Sequence, residues 1–139
     1  MEIIANALQT VPANQNVYFT DTVVSGNCAI AHRDDSGLIN LRGLTNQCRA
    51  RFRVAFGANI GLPADGTAGP ISLAITIDGE AVRATTMTVT PAAVEQFFNV
   101  SSSVFVDVPR GCCVTISVQN ITDVDVDVQN ANLIVDRVA

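Results

Sequence analysis

The 139-residue sequence predicts an all-β fold, an antiparallel β-sandwich of about eight to ten short strands forming one domain over residues 1–139. The main observation is that apolar residues alternate with polar or small ones from end to end. Alternation with a period of two is typical of strands with one face on a core and one more polar face. The apolar positions are Phe52, Val54, Phe56 and Ile60; Ile71, Leu73, Ile75 and Ile77; Val104, Val106 and Val108; and Val114, Ile116 and Val118.

Turn signals separate these segments and support the same fold class. Asp34–Gly37 and the Asp78-Gly79 pair have the composition of hairpin loops, and Pro109–Gly111 separates two further strands. Leu62–Pro70 is a loop of Gly, Pro, Ala and Asp. The only predicted helical stretch is about one turn over Pro91–Gln96.

The last strand has two apolar phases, and the sequence leaves two explanations open. Val124, Val126 and Val128 lie in one phase, whereas Ala131, Leu133 and Val135 lie in the other. Either a β-bulge near Asn130 resets the phase, or both faces of the strand are buried. The second explanation requires a further burial surface, for which a subunit interface is the simplest candidate.

The order of strands and turns resembles the trimeric jelly rolls of the tumour-necrosis-factor/complement type, over nearly the whole chain. It is similar in particular to their bacterial and prophage branch, which includes phage-encoded structural proteins of gut Clostridia. The resemblance implies a homotrimer with the last strand near the threefold axis, and so a trimer interface that includes Ala131, Leu133 and Val135. The segments that carry it are Asn16–Thr20, Ser36–Leu41, Arg51–Val54, Ile71–Ile75 with Asp78-Gly79, Val108–Gly111, Thr115–Asn120 and Asn132–Val135.

Arg49, Arg51 and Arg53 form a ladder on one face of a strand, about 7 Å apart from one to the next. One interpretation places them in the trimer interface, as a ring of charge around the axis, or makes them an anion site. The alternative is an ordinary polar face, paired locally with carboxylates such as Asp107 or Asp136. Exposed pairs of that kind contribute about 0–1 kcal/mol.

Other chemistry-bearing residues favour structural roles. The four cysteines are expected to be reduced and buried, and no metal is expected because zinc sites need further Cys and His partners. His32, the one histidine, is interpreted as a packing residue rather than a catalytic base. Asp123, Asp125 and Asp127 are interpreted as a solvated strand face rather than a calcium site.

Charge and motifs narrow the function classes. The net charge of -5 argues against nucleic acid as a partner, and no apolar run reaches the length of a membrane span. No catalytic or cofactor motif is present, so we expect neither an enzyme nor a cofactor.

The sequence leads to two functional hypotheses. The first is a homotrimeric virion protein that decorates a phage capsid, is assembled in the cytoplasm of the bacterial host, and binds the major capsid protein or another virion protein. Residues 1–9 would be its docking arm, through Glu2, Ile3 and Ile4. The alternative is a receptor- or glycan-binding module of a phage fibre or spore surface, using the loops Leu62–Pro70 and Thr90–Gln96.

Overall fold

Twelve β-strands form two antiparallel six-stranded sheets that pack face to face in the computed structural model, which describes residues 1–139. The first sheet has the order β10-β6-β12-β1-β3, with β2 also on β12, and the second has the order β4-β5-β11-β7-β8, with β9 also on β7. This jelly-roll sandwich confirms the predicted fold class. The strands are β1 (Glu2–Ala5), β2 (Gln9–Val11), β3 (Asp21–Val24), β4 (Ile30–His32), β5 (Ile39–Arg42), β6 (Arg49–Gly61), β7 (Ile71–Ile77), β8 (Glu80–Ala81), β9 (Met87–Val89), β10 (Phe97–Pro109), β11 (Cys113–Asn120) and β12 (Val126–Arg137).

The core lies between the two sheets and contains most of the residues that alternation predicted, with Ile77 and Val104 partly buried against it. On β6, Phe52, Val54 and Ile60 are fully buried and Phe56 is 2% exposed. The second sheet contributes residues such as Leu73 and Ile116 to the same hydrophobic cluster. Burial of apolar surface on this scale is the main stabilising contribution to such a domain.

A β-bulge in β12 explains the two apolar phases of the last strand. The register between β12 and β6 shifts between Gln129 and Asn132, and Asn130 has a φ of 54°. The extra residue rotates the following side chains by one position. Val128 before the bulge and Leu133 after it therefore face the same core.

The first strand corrects the expectation of an N-terminal docking arm. β1 is an internal strand of the first sheet, paired with β12 on one side and β3 on the other. Ile3 is fully buried, whereas Glu2 and Ile4 lie on the outer face of the sheet. Residues 2–5 are thus part of the folded sheet, and their backbone groups are occupied.

The connections agree with the predicted turns, with one exception. Asp78 and Gly79 have φ angles of 52° and 85°, as a tight hairpin between β7 and β8 requires. The predicted helical turn at Pro91–Gln96 is absent. A single 3-10 turn lies instead at Arg83–Thr85, where the hydroxyl of Thr85 donates to Val82 O. No helix in the chain has the length and apolarity needed to cross a membrane.

Candidate functional site

The arginine ladder lies on the outer face of the first sheet and is paired with neighbouring carboxylates. The Nε and Nη2 atoms of Arg51 donate to the two carboxylate oxygens of Asp107 at 2.8 and 3.1 Å. Arg49 Nε lies 3.2 Å from the same carboxylate, and Arg53 Nη2 lies 3.5 Å from Asp136 Oδ2. These are the two carboxylates that the sequence offered as local partners, so the interpretation as a paired polar face describes the isolated chain.

Arg51 and Asp107 affect each other's protonation. Hydrogen bonds from Arg51 lower the pKa of the Asp107 carboxyl, and the charges of Arg51 and Arg49 act in the same direction. The same contact raises the pKa of Arg51. Both side chains are about 40% exposed, so solvent weakens the pair. It orients the guanidinium groups more than it stabilises the fold.

A patch of small residues lies on the same face, along the β6–β10 pair at one edge of the first sheet. Ala55 and Gly57 on β6 lie directly opposite Ser103 and Ser101 on β10, in register. A Cβ added at Gly57 would meet only Val100 O, at 3.8 Å. We call Ala55, Gly57, Ser101 and Ser103 the small-residue patch. Its side chains are short enough for another protein surface to approach the sheet closely.

Apolar side chains border the small-residue patch. Ile134 on β12 lies opposite Ala55 and is half-buried, and Phe105 on β10 is 62% exposed. The Cζ atom of Arg51 lies 6.0 Å from the centroid of the Phe105 ring. Sequence reasoning did not select Ile134 or Phe105 as site residues. The signal was present in the alternation, since Phe105 falls between Val104 and Val106, whose side chains face the core.

The structure corrects the predicted role of three β12 residues. Ala131, Leu133 and Val135 are 1%, 0% and 0% exposed, and they belong to the core cluster of the chain itself. The bulge at Asn130, and not a second buried face, accounts for their phase. The side chains of β12 that face outward are those of Asn132, Ile134 and Asp136.

The four cysteines are free and exposed, which corrects the expectation that they are buried. Cys28 and Cys48 lie in loops, Cys112 lies in the turn between β10 and β11, and Cys113 is the first residue of β11. Free cysteine is commonly buried, but these four positions lie in loops, in a turn or at the start of a strand, where their side chains are exposed.

His32 and Asp127 are held by local contacts, whereas Asp123 and Asp125 are not. The imidazole Nε2 of His32 donates to Ser36 O at 2.9 Å, in the tautomer that carries the proton there, and the ring packs edge-on against Phe19. Asp127 is 6% exposed and accepts a hydrogen bond from Thr10 Oγ1 at 2.6 Å. Its burial corrects the expectation of a fully solvated aspartate face, whereas Asp123 and Asp125 are exposed.

Two clefts lie at the opposite end of the sandwich, beside the loop Leu62–Pro70. A cleft of about 460 Å³ separates Thr67–Pro70 from residues 121–124. A second cleft, of about 240 Å³, adjoins it and includes Asp65 and Asp125 in its lining. The loop Thr90–Gln96 also meets this end, through a hydrogen bond from Glu95 N to Leu62 O at 3.0 Å. The loops named from the sequence therefore do lie together.

The fold is similar to that of several domains of known structure. The globular domain of zebrafish complement 1qA protein has a TM-score of 0.63 at 12% identity, over 96% of this chain and 93% of that chain. Eiger TNF from S. frugiperda has a TM-score of 0.66 at 12% identity, over 100% and 92%. Murine APRIL has a TM-score of 0.51 at 8% identity, over 92% and 98%.

No protein-family model matches the sequence, and the curated proteins give no match either. The similarity is therefore structural, at sequence identities of 8–12%. Structural similarity at this level establishes the fold alone. It confirms that the fold is the one expected from the tumour-necrosis-factor/complement resemblance. The chain has the jelly-roll fold of tumour-necrosis-factor and complement C1q domains.

Proposed function

We propose that the chain is a non-enzymatic structural protein that assembles as a homotrimer through the outer face of its first sheet. The observation that carries the proposal is the small-residue patch, bordered by Ile134 and by the exposed ring of Phe105. Short side chains let a partner approach, and apolar neighbours gain free energy when they are covered. Full burial of a Phe side chain contributes about 1.5–3 kcal/mol.

The threefold symmetry of the proposed assembly is supported by the resemblance to trimeric jelly rolls. Phe105 lies on β10, the edge strand of the sheet, and the small-residue patch lies beside it on the β6–β10 pair. A threefold assembly uses heterologous contacts, in which each subunit presents two different surfaces, and these close into a ring only when the rotation between neighbours is one third of a turn. In the proposed interface, the arginine ladder lies at the rim of the contact between neighbouring subunits.

The interface is tested by two substitutions that introduce the same charge at different sites. Ile134→Asp places a carboxylate beside the small-residue patch and should dissociate the trimer into folded monomers. Val124→Asp, at a 44% exposed site in a turn, should leave the trimer intact. Sedimentation equilibrium gives the masses, and circular dichroism checks the fold. A trimeric Ile134→Asp variant would exclude this face.

We further propose that the trimer is a capsid decoration protein, made in the cytoplasm of a bacterial host and bound to the major capsid protein of a phage. The support is the resemblance to prophage-encoded jelly rolls. Cryo-electron microscopy of particles from the lysed host, with mass spectrometry of their proteins, tests the role. Trimer-shaped density on the capsid surface is the expected result. Particles that lack the chain would end the capsid hypothesis.

A receptor- or glycan-binding module is the second candidate, favoured by the clefts at the end opposite the arginine ladder. Their lining includes hydroxyl and carboxylate groups from Thr67, Thr122 and Asp123, which can bind sugar hydroxyls. A glycan array probed with the whole chain tests this role. Binding that Asp123→Ala removes, and that Asp21→Ala on the distant strand β3 leaves intact, would favour it over decoration.

A further inference from the structure

Five of the eight arginines lie together at one end of the sandwich. Arg49 begins β6 opposite Pro109, and Arg51 follows two residues later. Arg110 donates its backbone N–H to Cys48 O, and Arg137 donates to Leu44 O at 2.6 Å. Arg42 ends β5 opposite Cys113, next to the same turn. We call Arg42, Arg49, Arg51, Arg110 and Arg137 the arginine-rich end.

Carboxylates neutralise only part of this charge. Asp107 is shared between Arg49 and Arg51, and Arg137 Nε donates to Ala139 O at 3.3 Å, whereas Arg42 and Arg110 form no salt bridge. On the neighbouring hairpin, the side chain of Asp78 accepts a hydrogen bond from Thr115 N at 2.9 Å, and Glu80 forms no ion pair. The arginine-rich end therefore keeps a positive excess on a chain whose net charge is -5.

The other end of the sandwich has the opposite sign. The thirteen residues of β6 separate the two ends by roughly 40 Å. The loops there contain Asp65, Glu95, Asp123 and Asp125, and no arginine. Charge is thus divided along the strands, so a negatively charged partner is attracted to one end and repelled from the other.

A concave site at the arginine-rich end leaves hydrogen-bond donors free. A cavity of about 280 Å³ is lined by Gln47, Cys48, Arg49, Arg51 and Ala139. The Asp107 carboxylate pairs with Nε of Arg49 and accepts hydrogen bonds from Nε and Nη2 of Arg51. Both Nη atoms of Arg49 and Nη1 of Arg51 remain available. Guanidinium groups with free paired donors suit planar carboxylates.

We propose that the arginine-rich end is the docking site for an acidic segment of a protein partner, whose carboxylates bind at the cavity of Arg49 and Arg51. This inference rests on the proposed function, since a decoration protein needs such a partner. A short acidic segment touches only this end. A long nucleic acid would also meet the negative remainder of the chain, so a protein segment is the better match.

The test uses the full chain with a fluorescent hexaglutamate peptide as the carboxylate probe and a six-nucleotide single-stranded DNA as the phosphate probe. Fluorescence anisotropy should show that the peptide binds. The double variant Arg49→Gln/Arg110→Gln should weaken peptide binding about fivefold or more, whereas Asp107→Asn should strengthen it. The matched control Arg33→Gln/Arg83→Gln removes the same charge elsewhere and should change the affinity less than about twofold.

Three outcomes would overturn the docking site: no peptide binding, equal loss in both double variants, or tighter binding of the DNA than of the peptide. Sedimentation equilibrium on the same samples separates this result from the trimer. A trimeric chain that does not bind the peptide refutes the docking site alone. A monomeric chain that binds it through Arg49 and Arg110 refutes the trimer and supports the docking site.

Discussion

Arg51 and Asp107 face each other across the β6–β10 pair and are joined by two parallel hydrogen bonds, of 2.8 and 3.1 Å. Arg49 approaches the same carboxylate at 3.2 Å. One carboxylate thus orients two guanidinium groups at the rim of the first sheet. This arrangement links the stability of the sheet edge to pH and to the charge of the arginine-rich end.

The Asp107 pair should make a small, pH-dependent contribution to stability. Because the folded-state pKa of Asp107 is lowered, this contribution is complete above the unfolded-state pKa of about 3.9 and is lost as pH falls through the folded-state value. The difference in melting temperature between wild type and Asp107→Asn should therefore be constant near neutral pH and vanish in strong acid. Arg51→Gln, which breaks the same pair, should follow the same curve. A difference that grows with acidity would contradict the pair.

The β12 bulge should depend on the left-handed conformation of Asn130. Its φ of 54° is tolerated by Asn and Gly but strains a β-branched residue. Asn130→Val should reduce the free energy of unfolding by about 1–2 kcal/mol. Asn130→Gly is the matched control and should be close to neutral. Urea denaturation measures both, and equal stability of the two variants would show that the bulge does not constrain this residue.

Leu133 should behave as a core residue of the single chain. Leu133→Ala leaves a cavity between the sheets and should cost about 2–5 kcal/mol of unfolding free energy. Leu133→Asp should prevent folding, and not release folded monomers as an interface position would. Val138→Ala, at a site 48% exposed, is the control and should stay within about 0.5 kcal/mol. A soluble, folded Leu133→Asp monomer would contradict the placement of Leu133.

All four thiols should react in the folded protein. Cys28, Cys48, Cys112 and Cys113 are exposed and unpaired, so a chromogenic disulfide reagent should modify four groups per chain without denaturant. The same count in urea is the control. Any thiol that reacts only after unfolding would identify a covered cysteine.

Strand content and local pairing could be predicted from the sequence because they depend on neighbouring residues. The alternation of Phe52, Val54 and Phe56 fixes the inner face of β6, and the same alternation places Arg51 and Arg53 on the outer face. Asp107 and Asp136 could also be identified from the sequence, because alternation places these acidic residues on the polar face of other strands. Local patterns were sufficient for these features.

Features that depend on strand order could not be predicted in the same way. Residues 2–5 have two buried apolar side chains, Ile3 and Ala5, and alternation over four residues cannot distinguish such a strand from an arm. The two explanations for β12 differ only in the backbone at Asn130, and a single Asn does not specify a bulge. The small-residue patch appears only when β10 and β6 are placed in register, since Ser101 and Gly57 are distant in sequence.

Assembly is the central claim of this account, and the mass of the native protein tests it most directly. Sedimentation equilibrium over a dilution series centred on about 10 µM should give three times the 14.6 kDa of the chain at every concentration. A single species of 14.6 kDa throughout that series would contradict the trimer and leave the outer face of the first sheet without its proposed partner.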